Sequence, residues 1–199
     1  MQQQRKAQIE TALREAGLYP GLQARSTAVA GQVRAFEGEN LESLRWVLTT
    51  EQPATVFDWS RFDFVDEILI MDGVLLPAIK QVPFLDSHSR RSIDDILGSV
   101  TGFTTGEVEG HKALEGVVDF ANDERSQRAR QKARDGHLTD GSVGYEVLKS
   151  IYVPEGDAIK FKGREYKGPV KLSHTWALKE FSGTPIGADA LAKVQSLIG

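Results

Sequence analysis

Hydrophobic and polar residues alternate along much of this chain with the two-residue period that is typical of half-buried strands. The clearest case is residues 44–49, where Leu44, Trp46 and Leu48 occupy every second position. Other short apolar runs, separated by turn residues, predict strands at residues 56–59, 67–70, 74–77, 97–103, 116–121, 142–149 and 170–181, and a hairpin at 158–166. We expect these strands to form an antiparallel sheet.

Helical patterns are few. Residues 123–134 form the clearest one, with Asn122 as N-cap, basic residues toward the end and Gly136 just beyond it. This helix carries little apolar surface. An apolar stripe predicts a second helix at residues 189–198 that packs on the core, and a weakly amphipathic pattern predicts a third at 4–16.

Many short strands with few helices indicate a mainly β, α+β fold with peripheral helices. A β-barrel or curled sheet would remove the exposed edges that such strands leave. A doubly wound α/β fold fits badly, because only one convincing helix lies between residues 44 and 181. We place an N-terminal amphipathic segment and linker at residues 1–31, and the compact domain at 32–199.

The amino-acid composition excludes several kinds of functional site. The 199 residues are 40% hydrophobic and 26% charged, which is ordinary for a globular protein, and the formal net charge is −4. The absence of cysteine excludes disulfides, thiolate metal sites and a cysteine nucleophile. Residues 36–123 hold 17 acids against 6 bases, so nucleic acid is not an expected partner. We find no signal peptide or membrane span in the sequence.

Serine acyl transfer requires a hydroxyl, a base that accepts its proton near neutral pH and a group that orients the base. Histidine is the natural base. The four histidines are His88, His111, His137 and His174, and each alone would be a surface or core residue. Ser142 lies between Gly141 and Val143, where a turn serine bonded to its own backbone is the ordinary interpretation.

Three motifs change this interpretation when they are taken together. The string PFLDSH (83–88), followed by LGSV (97–100), resembles the histidine motif of the tailed-bacteriophage prohead proteases. The string DGHLTDGSVGY (135–145), which follows a predicted helix, is similar to the nucleophile segment of that family. WALKEFS (176–182), with GAD (187–189), resembles the strand and turn that close its catalytic domain. In all, the resemblance covers roughly residues 31–197.

This resemblance implies a serine endopeptidase with Ser142 as nucleophile and His88 as general base, and a herpesvirus-assemblin-like antiparallel β-barrel surrounded by helices. Glu180 matches the acidic position of the family, whereas His174 would correspond to the second histidine of the herpesvirus arrangement. Positions 174 and 180 would face the same side of a regular strand. We favour Glu180 and keep His174 as the alternative. We expect His111 and His137 in surface loops.

The resemblance further implies that the protein acts in the host cytoplasm, inside the immature prohead. Its expected substrates are the phage scaffold and major capsid protein, and the chain itself. We also expect a homo-oligomer, without cofactor, metal, nucleic-acid or membrane partner. Gly187 stands where the family has proline, which puts the shape of that loop in question.

A catalytically inactive scaffold or capsid-associated module with the same fold is the main alternative. An esterase is disfavoured because the G-x-S-x-G elbow is absent around Ser142. Metal catalysis is disfavoured because His88 and Asp86 supply only two ligand types, and no H-x-x-x-H or H-x-E spacing occurs.

Overall fold

The computed structural model describes residues 23–25 and 43–185. The first strands are β1 (Gln23–Arg25), β2 (Ser43–Thr50), β3 (Ala54–Asp58), β4 (Asp63–Leu69), β5 (Val74–Leu75) and β6 (Val82–Asp86). They are followed by β7 (Ile96–Val108), β8 (His111–Phe120), helix α1 (Glu124–Arg134), β9 (Asp140–Val153), β10 (Ala158–Phe161), β11 (Arg164–Lys167) and β12 (Val170–Thr184). The described part is therefore mainly β, as the alternating pattern predicts.

Among the described residues, ten strands form one sheet, and the β10–β11 hairpin forms a separate two-stranded sheet. The main path runs β1-β9-β12-β6-β7-β8-β2, with β4 and β5 pairing to β12 and β3 pairing to β4. Strand β1 lies within residues 1–31, the predicted N-terminal segment and linker. In the structure these three residues are part of the sheet.

Two features of the sheet bear on the expected antiparallel barrel: its strands are not all antiparallel, and closure is not observed in the described ranges. First, β12 pairs antiparallel with β9 along one edge but parallel with β4, β5 and β6 along the other. The 15 residues of β12 are long enough to pair with three shorter strands in succession. Second, within the described ranges the strand path is open from β1 to β2, and no closed barrel is detected.

The core is built from the inward side chains of these strands. Trp46, Phe84 and Phe181 pack together, with ring centroids 5.5 Å apart for Trp46 and Phe181 and 6.1 Å for Trp46 and Phe84. Tyr145 packs edge-on against Trp176 in the same cluster. Because all five rings are fully buried, they fix how β2, β6, β9 and β12 lie against one another.

Helix α1 begins one residue later than predicted. Its N-cap is Asp123 rather than Asn122, and the Asp123 carboxylate accepts a hydrogen bond from the Ser126 amide at 3.0 Å. The Ser126 hydroxyl and the Ser126 amide both donate hydrogen bonds to Asp123, and these bonds hold the pKa of Asp123 below its usual value. The hydroxyl makes the larger contribution. The helices predicted at residues 4–16 and 189–198 lie outside the described residues.

The predicted hairpin is present as β10 and β11. Its two turn residues, Lys162 and Gly163, have φ angles of 49° and 82°. Two successive positive φ angles are the requirement of the tight turn that matches the twist of paired strands. These two residues therefore give the β10–β11 hairpin the turn geometry that it requires.

Candidate active site

Three neighbouring strands bring the predicted site residues together. Ser142 on β9 lies directly opposite Ser182 on β12, and Gly183 of β12 lies beside Asp86 at the end of β6. His88 follows β6 by two residues, so the chain delivers its side chain next to the same part of β12. The order β9-β12-β6 therefore places a serine, a carboxylate and a histidine from distant parts of the sequence at one position.

The side chains form a continuous hydrogen-bonded relay. Ser142 Oγ lies 2.7 Å from His88 Nε2, and His88 Nδ1 lies 2.6 Å from Glu180 Oε1. Since a carboxylate can only accept, the assignment that satisfies both contacts puts the proton on Nδ1 and leaves Nε2 to accept from the Ser142 hydroxyl. This is the arrangement that serine acyl transfer requires.

Glu180 is held by more than the histidine. Its side chain is 2% exposed, and Oε1 also accepts from the Arg90 guanidinium at 3.2 Å. The Ser182 hydroxyl donates to Oε2 at 2.8 Å. Three donors therefore fix a buried carboxylate, which satisfies the usual condition for burying a charge.

The backbone at His88 is unusual. Ser87 and His88 have φ angles of 50° and 59°, in the left-handed region that costs a non-glycine residue about 1–2 kcal/mol. Two hydrogen bonds donated by backbone amides offset this cost. The Ser87 amide donates to the Gly183 carbonyl at 3.0 Å, and the His88 amide donates to the Ser182 hydroxyl oxygen at 3.0 Å. Ser182 thus binds both His88 and Glu180, and it sets the position of one relative to the other.

Glycines leave room for these contacts. A Cβ on Gly144, which is opposite Glu180, would lie 2.0 Å from Oε1 of that carboxylate. A Cβ on Gly141 would lie 2.2 Å from the ring of Phe181. The two glycines that flank Ser142 in the sequence motif are therefore required for close packing of β9 on β12.

The loop after His88 is closed by Asp95. Its carboxylate accepts from the Ser89 hydroxyl at 2.7 Å and from the amides of Arg91 and Ser92 at 3.0 and 3.1 Å. These bonds, the largest contribution coming from Ser89, lower the pKa of Asp95 to about 2. Arg125 of α1 bridges Asp95 to Asp86, at 3.4 and 2.6 Å, so the helix is tied to both ends of the loop that carries His88.

Among the other histidines, His174 does not join the relay. Its ring lies 5.3 Å from that of Phe161, and its Nδ1 contacts the Thr175 hydroxyl at 3.3 Å. The strand has register shifts on both sides of Thr175 and again between Leu178 and Glu180. The two-residue period therefore does not hold from 174 to 180, and of these two residues Glu180 is the one that contacts His88.

His137 is exposed in the turn region that precedes β9, as expected. His111 is not in a surface loop, which corrects that prediction. It is the first residue of β8, paired with Val108 across the β7–β8 hairpin, and it is half-buried.

Sequence reasoning missed two contributors. Arg90 was not singled out, although a cation two residues after the histidine is a usable signal for a carboxylate partner. Ser182 was noted only as the last residue of the WALKEFS string, without a role. Its spacing of two from Glu180 places both side chains on one face of β12, which is the signal that could have identified it.

Ser142 itself is fully buried, whereas the His88 side chain is 15% exposed. Within residues 23–25 and 43–185, no cluster of three or more metal-binding side chains is found. None of the helices in the described part of the chain is long and apolar enough to cross a membrane. Comparison with family models, curated proteins and solved structures gives no match to this chain.

Proposed function

We propose that this chain is a serine endopeptidase with Ser142 as nucleophile, His88 as general base and Glu180 as the residue that orients the base. The observation that carries the proposal is the Ser142–His88–Glu180 relay, with contacts of 2.7 and 2.6 Å. These contacts are already within hydrogen-bond reach without a substrate, which is the first requirement for a nucleophile and its base.

The proton transfers follow from the tautomer. As Ser142 Oγ attacks the peptide carbonyl carbon, its proton passes to His88 Nε2, and Glu180 stabilises the imidazolium through Nδ1–H. His88 then gives this proton to the departing amine, which leaves an acyl group on Ser142. A water molecule, deprotonated by His88, hydrolyses this ester and restores the serine hydroxyl.

The arrangement around Glu180 supports its role. Arg90 donates to Oε1, the oxygen that His88 also contacts, and Ser182 donates to Oε2, so both carboxylate oxygens are oriented before the histidine becomes charged. Preorganised groups of this kind need no rearrangement when charge develops in the reaction.

The biological substrate is proposed from the motif resemblance. The three strings that resemble the prohead proteases contain His88, Ser142 and Glu180, and these residues contact one another across 54 and 92 positions of sequence. The protein would cleave scaffold and capsid-protein segments, and itself, in the immature head within the host cytoplasm. It would do so as an oligomer with an assemblin-like fold.

Co-incubation with the scaffold and major capsid protein of the same phage tests this function. Intact-mass analysis should show discrete cleavage products with the unmodified chain and none with Ser142→Ala, whose circular dichroism spectrum should be unchanged. Identical product patterns from both chains would rule out Ser142 as the nucleophile, and no products from either chain would rule out these proteins as substrates.

An inactive scaffold or capsid-associated module remains the second candidate, because the complete burial of Ser142 is what a closed, non-catalytic site would show. This alternative predicts that Ser142→Ala assembles with head proteins as the unmodified chain does and that neither chain cleaves them. The same co-incubation, followed by size-exclusion chromatography, separates the two functions.

A further inference from the structure

The short strand β1 occupies a particular place. Its three residues pair antiparallel with residues 143–145 of β9, directly after Ser142, in the register Gln23–Tyr145, Ala24–Gly144 and Arg25–Val143. Strand β12 pairs with the opposite edge of β9, so β1 covers the edge that β12 leaves open. Without β1, the backbone amides and carbonyls of that edge would be available to another strand.

We propose that this edge of β9 is the docking site for an extended peptide substrate, and that β1 occupies it as an internal competitor. The inference rests on the proposed endopeptidase function and adds how the substrate binds and what restrains its binding. Addition of a peptide strand to a sheet edge supplies main-chain hydrogen bonds whatever the peptide sequence.

The direction of β1 suits such a substrate. Running from Gln23 to Arg25, the strand approaches Ser142 and ends opposite Val143, so the next residue of a strand in this register would lie opposite the serine. A peptide in the same register and direction would carry its chain past Ser142 Oγ. The residues on the amino side of the cleaved bond would then pair with residues 143–145.

The burial of Ser142 and the short length of β1 both support competition between β1 and a peptide substrate. Ser142 is fully buried, and β1 holds the backbone edge of the three residues that follow it, so a peptide cannot pair with that edge while β1 is in place. The three-residue pairing of β1 contrasts with the β9–β12 pairing, which extends from Asp140 to Val153. A strand held by so few ladder bonds can be displaced by a second peptide without loss of the remaining sheet.

Binding is tested in full-length chains that carry Ser142→Ala, so that no cleavage occurs. The probe is a fluorescent peptide with the sequence of residues 20–28, followed by anisotropy. Gln23→Pro and Ala24→Pro each remove a backbone N–H, and the amides of adjacent strand residues point to opposite sides. Only one of these two amides can point toward β9, so one proline variant should loosen β1 more than the other. Ala24→Ser keeps its backbone N–H and is the matched control.

We expect one proline variant to bind the probe about tenfold or more tightly than the Ala24→Ser control, because the edge is open in a larger fraction of molecules. Equal binding by all variants, or binding by none, would overturn the inference. Hydrogen exchange on the Ser142→Ala chain, without either proline substitution, gives a second measurement. A saturating concentration of the probe should deprotect the amides of residues 23–25, whereas the amides of residues 143–145 should stay protected. Unchanged exchange at 23–25 would also overturn it.

Both readouts are independent of catalysis. If the probe binds as expected but the chain with Ser142 never cleaves a peptide, the docking edge stands and the endopeptidase function falls. If the chain cleaves peptides and the proline variants bind no better than Ala24→Ser, the function stands and the docking edge falls.

Discussion

Gly144 and Glu180 lie opposite each other on β9 and β12, and the space between them admits no side chain on the glycine. A Cβ on Gly144 would come within 2.0 Å of the carboxylate oxygen that also contacts His88. The glycine is therefore part of what allows the relay to form.

Gly144→Ala should displace Glu180 from His88 and lower peptidase activity about 100-fold or more, since loss of the orienting carboxylate removes the correct tautomer. Gly106→Ala is the matched control, because its Cβ would meet only the end of the Glu115 side chain in β7–β8. Steady-state kinetics on one peptide substrate measures both. Equal activity of the two variants would show that the carboxylate position is not needed.

Arg90 is expected to position Glu180. Arg90→Gln should lower kcat about tenfold with little change in KM, because one charge-assisted hydrogen bond to a buried carboxylate is lost. The neighbouring Arg91→Gln removes the same charge from an exposed side chain, which donates to the Ser89 hydroxyl at 3.4 Å and does not contact Glu180. A matching decrease in both variants would indicate a general charge effect instead.

Ser182→Ala should cost about 1–3 kcal/mol of unfolding free energy, because the His88 amide loses its acceptor and Glu180 loses a donor. Activity should fall as well, since the left-handed backbone at His88 is no longer held. Urea denaturation measures the first effect and peptide hydrolysis the second. A stable variant with full activity would remove Ser182 from the site.

The stability given by Asp95 should depend on pH. Its pKa in the folded protein is about 2, below the ordinary value of 3.8, so its contribution is complete above pH 4 and is lost as the pH falls from about 4 to 2. Asp95→Asn should therefore be less stable than the unmodified chain at pH 6, and the two should converge near pH 2. Denaturant titrations across this range measure the difference, and a constant gap would contradict the assignment.

Lys171 should be the costliest lysine to replace. It is buried and lies 2.9 Å from Asp58 and 3.4 Å from Glu67. Burial raises the pKa of Asp58, but hydrogen bonds from Ser60 and Lys171 outweigh burial and leave that pKa below its usual value.

Lys171→Met would leave two buried carboxylates without their cation and should cost about 3–5 kcal/mol. Lys179→Met breaks an exposed pair with Glu146 and should cost less than about 1 kcal/mol. Thermal unfolding distinguishes these values. Similar losses from the two variants would mean that burial does not decide the cost.

The local parts of the structure could be predicted from sequence. The alternation at Trp46, the charged helix after Asp123 and the Lys162–Gly163 turn each depend on a few adjacent residues, and each is present. The parallel contact of β6 with β12 could not be derived in this way, because it joins residues about 97 positions apart without a periodic signal.

The same limit applies to the site. Ser142, His88 and Glu180 came from motif resemblance, whereas periodicity alone left His174 equivalent to Glu180. The register shifts at Thr175 and after Leu178 separate these two residues, and bulges of this kind depend on the packing of β12 against its neighbours. Arg90 contacts Glu180 across 90 positions of sequence, and it follows two residues with positive φ angles, Ser87 and His88, which no local pattern predicts.

In the proposed function, His88 activates the Ser142 hydroxyl as a nucleophile. Reaction with a small dialkyl fluorophosphate, followed by intact mass and peptide mapping, tests it without knowledge of the substrate. We expect one adduct, on Ser142, absent in Ser142→Ala and formed about 1,000-fold more slowly in His88→Ala. No adduct on Ser142, or an equal rate in His88→Ala, would contradict the account.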